Sequence, residues 1–147
     1  MTTGMHLTIR PFIDADEADV IELWNTCGLT RPWNDPRRDI ARKLAMQREW
    51  FFVGLVGDAR VACAMAGYDG HRGSLYYLAV SPTMRRRGFA TALIRHVETA
   101  LMEVGCPKLN LLVRRGNEDV IAFYRQIGYA VDETIQLGRR LIPDLPG

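Results

Sequence analysis

The stretch from Ser74 to Val113 constrains the fold more than any other. Ser74 to Ser81 reads as a strand in which Leu75-Tyr76-Tyr77-Leu78-Ala79-Val80 has no polar face, and Pro82 ends it. A strand apolar on both sides belongs inside a sheet covered on both faces. The longest helix then runs from near Gly88 to near Gly105. Phe89, Ala90, Leu93, Ile94, Val97, Leu101 and Val104 fall within an arc of about 140°, with Arg95, Glu98, Thr99 and Glu103 opposite. Lys108 to Val113 reads as the next strand. Strand, helix and strand in this order make a right-handed parallel crossover.

The rest of the chain is read around that unit. His6 to Phe12 is a short strand. Asp14 opens a helix, with Glu17 three residues on as in a capping box, and Gly28 stops it. Asp35 caps a second helix with Pro36 at its first position. Trp50 to Val56 and Arg60 to Gly67 are apolar strands joined through the turn pair Gly57-Asp58. Asn117 caps a helix whose apolar face is Val120, Phe123, Tyr124 and Ile127, with Glu118 and Asp119 in the first turn. Two final strands are expected at Tyr129 to Val131 and Thr134 to Leu141, and a frayed tail from Pro143 to Gly147. The order β-α-α-β-β-β-α-β-α-β-β gives a mixed α/β sheet with helices on both faces.

Length and charge narrow the functions. With 147 residues the chain is expected to form one domain, residues 1–147, and it carries no repeat or linker. No apolar run approaches the roughly 20 residues of a membrane span, and Met1 to Arg10 lacks an apolar signal core. No membrane partner is expected. A net charge of +2 argues against general nucleic-acid binding. Cys27, Cys63 and Cys106 are odd in number and far apart, which fits free thiols in a reducing cytoplasm. No His, Asp or Glu cluster has metal-ligand spacing, so no metal is expected.

The chemistry concentrates where the apolar strand meets the long helix. Arg85-Arg86-Arg87-Gly88-Phe89-Ala90 forms a basic turn at the helix start. The free N–H groups there, with the positive end of the helix dipole, suit a phosphate or pyrophosphate. Gly88 lets a phosphate oxygen come close to the backbone. Neither G-x-x-x-x-G-K-S/T nor G-x-G-x-x-G is present, which disfavours nucleoside triphosphate and dinucleotide folds. A solvated surface run, or a nucleic-acid contact, would also use three arginines.

At this point the sequence resembles a family. Arg85 to Ala90 fits the Gln/Arg-x-x-Gly-x-Gly/Ala acetyl-CoA motif of the GNAT superfamily of N-acetyltransferases. Asn117-x-x-x-x-Ala122-Phe123-Tyr124-x-x-Ile127-Gly128-Tyr129 looks like the family's second signature, and the resemblance spans essentially the whole chain. The Arg31 to Pro36 and Asp69 to Gly73 loops look like a small bacterial branch. The resemblance implies a mostly antiparallel mixed sheet of about six to seven strands, with a splayed parallel pair and about four helices. It implies acetyl-CoA as co-substrate. The pyrophosphate would lie on the amides of Arg86, Arg87, Gly88, Phe89 and Ala90, extending to Thr91, with the Arg85 to Arg87 side chains adding charge. The pantetheine arm would pair with Leu78, Ala79 and Val80, and an N–H of Ala79 or Val80 would polarise the thioester carbonyl. Asn117 would bind the pantetheine or cap its helix. Tyr124 would be the general acid that protonates the departing thiolate; periodicity alone reads it as a core aromatic.

The general base has no clear holder. The family's glutamate on the strand before the Asn helix aligns with Leu112, which puts ribosomal-protein acetylation in doubt. Asp69, His71, Tyr76 or Tyr77, Asp35, or a water chain could take the proton. Asp69 and His71 also read as turn residues, His96 as a helix-boundary residue, and Trp33 as a pocket wall or a packing anchor. The resulting expectation is acetyl transfer to a primary amine, on a small molecule or a peptide, by direct attack in a ternary complex. A non-catalytic acyl-CoA-binding module and a nucleic-acid-binding domain are the competing readings. Monomer and homodimer both stay open.

Overall fold

The computed structural model describes residues 5–144. One sheet holds five strands in chain order: β1 (Thr8–Pro11), β2 (Phe51–Val56), β3 (Ala59–Tyr68), β4 (Gly73–Val80) and β5 (Leu109–Leu111). β1 to β4 pair antiparallel, and β4 and β5 pair parallel around the expected crossover. The four helices are α1 (Glu17–Thr26), α2 (Pro36–Leu44), α3 (Phe89–Glu103) and α4 (Glu118–Gln126). None of the described helices is long and apolar enough to cross a membrane.

Alternation along the strands builds a core on each face of the sheet. Phe51, Val53, Cys63 and Ala79 pack with Val20 and Trp24 of α1 and Ile40 of α2. Their neighbours Phe52, Ala62, Ala64 and Leu75 pack with Phe89, Leu93, Ile94, Val97 and Leu101 of α3, and with Tyr124 of α4. Val104, expected on the same arc, is exposed, because α3 has already ended at Glu103. Gly73 shows how tightly α3 sits over the sheet. A Cβ there would lie 2.9 Å from Leu101 Cδ1 and 3.0 Å from Cys106 Sγ.

Three expectations are corrected. The first helix does not use an Asp14–Glu17 capping box. Ile13 is the N-cap of a short 3-10 turn, Asp14–Asp16, and its N–H donates to Asp16 Oδ2 at 2.9 Å. Asp16 is fully buried and also accepts from Arg10 at 2.7 and 3.0 Å and from Arg60 Nε at 2.7 Å. Burial pulls its pKa upward, but those hydrogen bonds outweigh it and hold the carboxyl at about 2. At α2 the expected cap is present: Asp35 accepts from the Arg37 N–H at 2.9 Å, with Pro36 following.

The second correction is the strand count. Residues 129–144 form no strand, so among the described residues the sheet has five strands rather than six or seven. Alternating apolar residues do not suffice without a ladder partner. β5 offers only three residues as a template, and Ile135, Leu137 and Leu141 lie exposed. The third concerns the tail. Asp144 is buried at 6% exposure, held by Arg42 and by the Asp35 N–H, which donates to Oδ2 at 3.0 Å. Residues 1–4 of the stretch read for a signal core, and residues 145–147 of the tail, lie outside the described residues.

Candidate functional site

β4 is paired along only part of its second edge. Gly73, Ser74 and Leu75 pair with Leu109, Asn110 and Leu111, and the pairing stops there. From Tyr76 to Val80 no strand among the described residues covers that edge. Leu78, Ala79 and Val80 therefore sit at a splay between two parallel strands. A bulge marks its start. The β3–β4 register slips between Cys63 and Met65, and Tyr77 adopts φ +53. A left-handed residue in a bulge bends the strand locally. Both faces of this strand are covered, as expected, but not along its whole length: Leu75 packs on the α3 side and Ala79 on the α1–α2 side, while Tyr76 is 51% exposed.

Beyond Val80 the chain turns into α3. Ser81 N–H donates to Val61 O at 2.7 Å, and Pro82–Met84 form a 3-10 turn. Arg86 at φ +63 and Gly88 at φ +79 then wind the backbone into the helix. The Ala92 N–H donates to Gly88 O at 3.0 Å. Among the described residues, the N–H groups of Arg86 to Thr91 have no protein acceptor. Successive free N–H groups around left-handed residues form an anion-binding concavity. A Cβ on Gly88 would meet nothing within 4 Å, so the backbone angle rather than crowding calls for glycine there.

The side chains around this turn divide. Arg86 and Arg87 are exposed and make no ion pair among the described residues. Arg85 folds back instead: its Nε donates to Val80 O at 3.3 Å, and Nη2 lies 3.8 Å from Cys27 Sγ. Phe89 is buried, which leaves only its backbone for a ligand, and Ala90 and Thr91 are half-buried.

Tyr124 lies on the α3–α4 side, edge-on to Phe123 at 5.2 Å and Tyr129 at 5.5 Å between ring centroids. Burial pushes its hydroxyl up to about 12. The hydroxyl makes no protein hydrogen bond, and no fully buried side-chain N or O among the described residues lacks a partner. Its tip therefore opens onto the neighbouring groove of about 850 Å³, which Asn110, Leu112 and Val113 also line. Leu112 is 59% exposed and leaves no carboxylate at the end of β5. Asn117 precedes α4 but makes no side-chain cap bond, so the expected cap is not made. The exposed Glu118 and Asp119 still occupy the first turn, where the dipole favours acids.

On the α1–α2 side a second cavity, of about 550 Å³, lies against β4 at Tyr76 and Tyr77. The Tyr77 hydroxyl donates to Asp39 Oδ2 at 2.6 Å, and its ring stacks on Trp24 at 3.8 Å. Burial and then the Asp39 bond push the Tyr77 hydroxyl far above the ordinary phenol range. Asp39 also accepts from Arg42 Nη1 at 3.3 Å. Lys43, half-buried and pushed down by desolvation, donates to Ala66 O. Arg31, Arg42 and Arg114 complete the charged lining.

The base candidates fare differently. Asp69 accepts from His71 N–H at 2.7 Å and Arg72 N–H at 2.8 Å, and the Arg72 bond, then that from His71, pulls its pKa down. It is a turn residue, and His71 beside it is exposed. Asp35 serves as the α2 cap. The Tyr77 hydroxyl is committed to Asp39. Tyr76 alone of these faces the cavity with its hydroxyl uncommitted among the described residues. Trp33 is 51% exposed, close in sequence to Arg31 and Asn34 of the cavity lining. His96 stacks edge-on against Phe52 at 4.6 Å, as a helix-boundary residue can. The three cysteines are free, and Cys63 is buried with its thiol pushed up to about 12 by desolvation.

Sequence reading missed Asp39 and the network behind it. Asp39 and Arg42 at i,i+3 on α2 were the available signal. Nothing local links them to Tyr77 or Asp144.

Comparison with known proteins agrees with this geometry. The sequence pattern of the acetyltransferase (GNAT) family matches residues 17–129. An acetyltransferase of Yersinia enterocolitica is 52% identical over 138 residues, covering 94% of this chain and 98% of that protein. The crystal structure of Ard1 from Thermoplasma volcanium superposes with a TM-score of 0.77 at 25% identity, over 86% of this chain and 84% of that one. An aminoglycoside 6'-N-acetyltransferase of Acinetobacter haemolyticus shares the fold, with a TM-score of 0.74 at 23% identity over 92% and 99% of the two chains.

Proposed function

This chain belongs to the GNAT acetyltransferase family and is an acetyltransferase, and on that premise we propose that acetyl-CoA is its donor and binds along β4 and the α3 turn. The observation that carries the reading is the run of unpartnered N–H groups from Arg86 to Thr91 at the end of the open β4 edge. Acetyl-CoA supplies the acetyl group as a thioester with a thiolate leaving group.

The chain's own residues do the rest. The amides of Arg86 to Thr91 hold the pyrophosphate, with the exposed Arg86 and Arg87 side chains adding charge. Arg85 braces the end of β4 through Val80 O. The open edge of β4 at Leu78, Ala79 and Val80 pairs with the pantetheine arm as a missing strand would, through the backbone groups that β3 and Arg85 leave unbonded. An N–H of Ala79 or Val80 receives the charge that develops on the carbonyl oxygen. The Asn117 side chain, not used as a cap, is available to the arm. Tyr124, with its hydroxyl pushed up to about 12, stays protonated at neutral pH and donates to the leaving sulfur. In the transfer the amine nitrogen bonds the acetyl carbon and the C–S bond breaks. The amine proton passes to water, and Tyr124 recovers its own proton from solvent. The acceptor enters on the α1–α2 side, through the cavity at Tyr76 and Tyr77.

Calorimetry with acetyl-CoA tests this, together with thiol release on an amine panel. Wild type is expected to bind, Gly88→Glu to lose binding, and Tyr124→Phe to bind with slowed thiol release. Unchanged binding by Gly88→Glu sinks the assignment of the turn. Unchanged turnover by Tyr124→Phe sinks that of the acid.

A further inference from the structure

The cavity beside Tyr77 is unbalanced in charge. Arg31, Arg42, Lys43 and Arg114 line it, against the single carboxylate of Asp39. Asp39 is already taken up by the Tyr77 hydroxyl at 2.6 Å and by Arg42 at 3.3 Å. Arg42 is itself matched by the buried Asp144, through Nη1 at 3.2 Å. Among the described residues Arg31 and Arg114 have no carboxylate partner, and Lys43 has only Glu49, beyond ion-pair distance. Arg31 donates only to the carbonyls of Gly28 at 2.7 Å and Thr30 at 2.9 Å. Lys43 donates to the Ala66 carbonyl. Arg114 makes no ion pair among the described residues.

Two arginines without a carboxylate partner and a third cation, Lys43, around one cavity attract an anion and repel a polycation. That anion is not the pyrophosphate of the donor. Its cradle begins beyond Val80, and Tyr77 precedes Val80 by three residues, about 10 Å along a strand. The cavity instead adjoins the open stretch of β4 where the acetyl group would lie. It is of small-molecule size.

We propose that the acceptor is a small primary amine that also carries a carboxylate or a phosphate, and that Arg31 and Arg114 bind that anion. This rests on the acetyl-transfer reading above. The same charges help the chemistry. Cations near the acceptor disfavour its ammonium form, so the attacking nitrogen loses its proton to water without a dedicated base. A polyamine or an aminoglycoside, with several ammonium groups, is excluded by the same repulsion.

The test pairs amines that differ only in the anion: glycine with glycinamide, O-phosphoethanolamine with ethanolamine, glucosamine 6-phosphate with glucosamine. Spermidine and kanamycin supply the polycations. Thiol release from acetyl-CoA gives kcat/KM, and calorimetry in the presence of CoA gives acceptor binding. The anionic member of at least one pair is expected to lead its partner at least tenfold. The carboxylate and phosphate arms separate the two sources. Arg31→Gln and Arg114→Gln are each expected to raise KM for that acceptor at least tenfold, leaving the acetyl-CoA Kd unchanged. Arg31→Lys recovers part of the loss, which a merely structural arginine would not require. Arg114→Glu, read with circular dichroism as a folding check, shifts preference toward the neutral partner. Equal or better use of neutral or polycationic amines overturns the proposal, as does a silent Arg31→Gln/Arg114→Gln double variant. So does failure of every anionic amine both to bind and to react. Failure of wild type to bind acetyl-CoA instead overturns the donor reading, a result the acceptor arms cannot mimic.

Discussion

The Tyr77 hydroxyl donates to the Asp39 carboxylate at 2.6 Å, tying β4 at its bulge to α2 across the wall of the cavity that Tyr76 and Tyr77 line. The bond spans two elements that sequence order keeps apart, and it leaves Asp39 facing Arg42 rather than solvent. Removing the donor with Tyr77→Phe keeps the stacking on Trp24. It is expected to cost about 1.5–3 kcal/mol in urea denaturation, the range for a hydrogen bond to a charged group. Acceptor KM should rise while the acetyl-CoA Kd holds.

The Tyr124 pKa carries a pH prediction. Burial raises it to about 12, so the phenol remains a proton donor across the working range. The kcat of wild type should show no alkaline limb from this group below about pH 11. Tyr124→Phe should lower kcat about 10- to 100-fold at every pH, with little change in acetyl-CoA affinity. An alkaline limb near pH 9 that vanishes in Tyr124→Phe would contradict the raised value.

Acid should weaken the fold through Asp16. Its folded carboxyl titrates at about 2 against an ordinary 3.8. A depressed folded value means the stabilisation is complete above the unfolded pKa and is lost as pH falls from about 4 to 2. Screening at the partly exposed Arg10 and Arg60 sets the linked loss at about 1–2 kcal/mol. Asp16→Asn should flatten that part of the stability–pH curve, and it should cost about 3 kcal/mol at neutral pH by leaving Arg10 without its carboxylate and Arg60 with Asp19 alone.

Two glycines should respond to alanine for different reasons. At Gly73 a Cβ would press on Leu101 and Cys106, so Gly73→Ala should cost about 1–3 kcal/mol by overpacking. At Gly88 the space is open and φ is +79, so Gly88→Ala should cost about 1–2 kcal/mol through backbone strain alone. Thermal melts with and without acetyl-CoA separate the two. Ligand should rescue Gly73→Ala and stabilise Gly88→Ala far less, because the strained turn is the one proposed to hold the pyrophosphate.

Much of the architecture was legible along the chain because its causes are local. The α2 cap at Asp35 with Pro36, the apolar arc of α3, the Gly57-Asp58 hairpin and the β4–α3–β5 crossover each follow from a few neighbouring residues. The basic turn before α3 was legible for the same reason, since free N–H groups at a helix start need no distant partner. Resemblance to a family then supplied what local physics cannot, the kind of group transfer. Packing decided the rest. Tyr77 and Asp39 stand 38 residues apart, and Arg42 and Asp144 stand 102 apart. No periodicity reports that β4 bulges at Tyr77, or that the tail returns to α2. The same holds for residues 129–144, where alternation promised strands that a three-residue β5 could not template. Secondary structure in this protein is written in neighbouring side chains. The charge balance of the cavity beside Tyr77 exists only once elements distant in sequence are brought together.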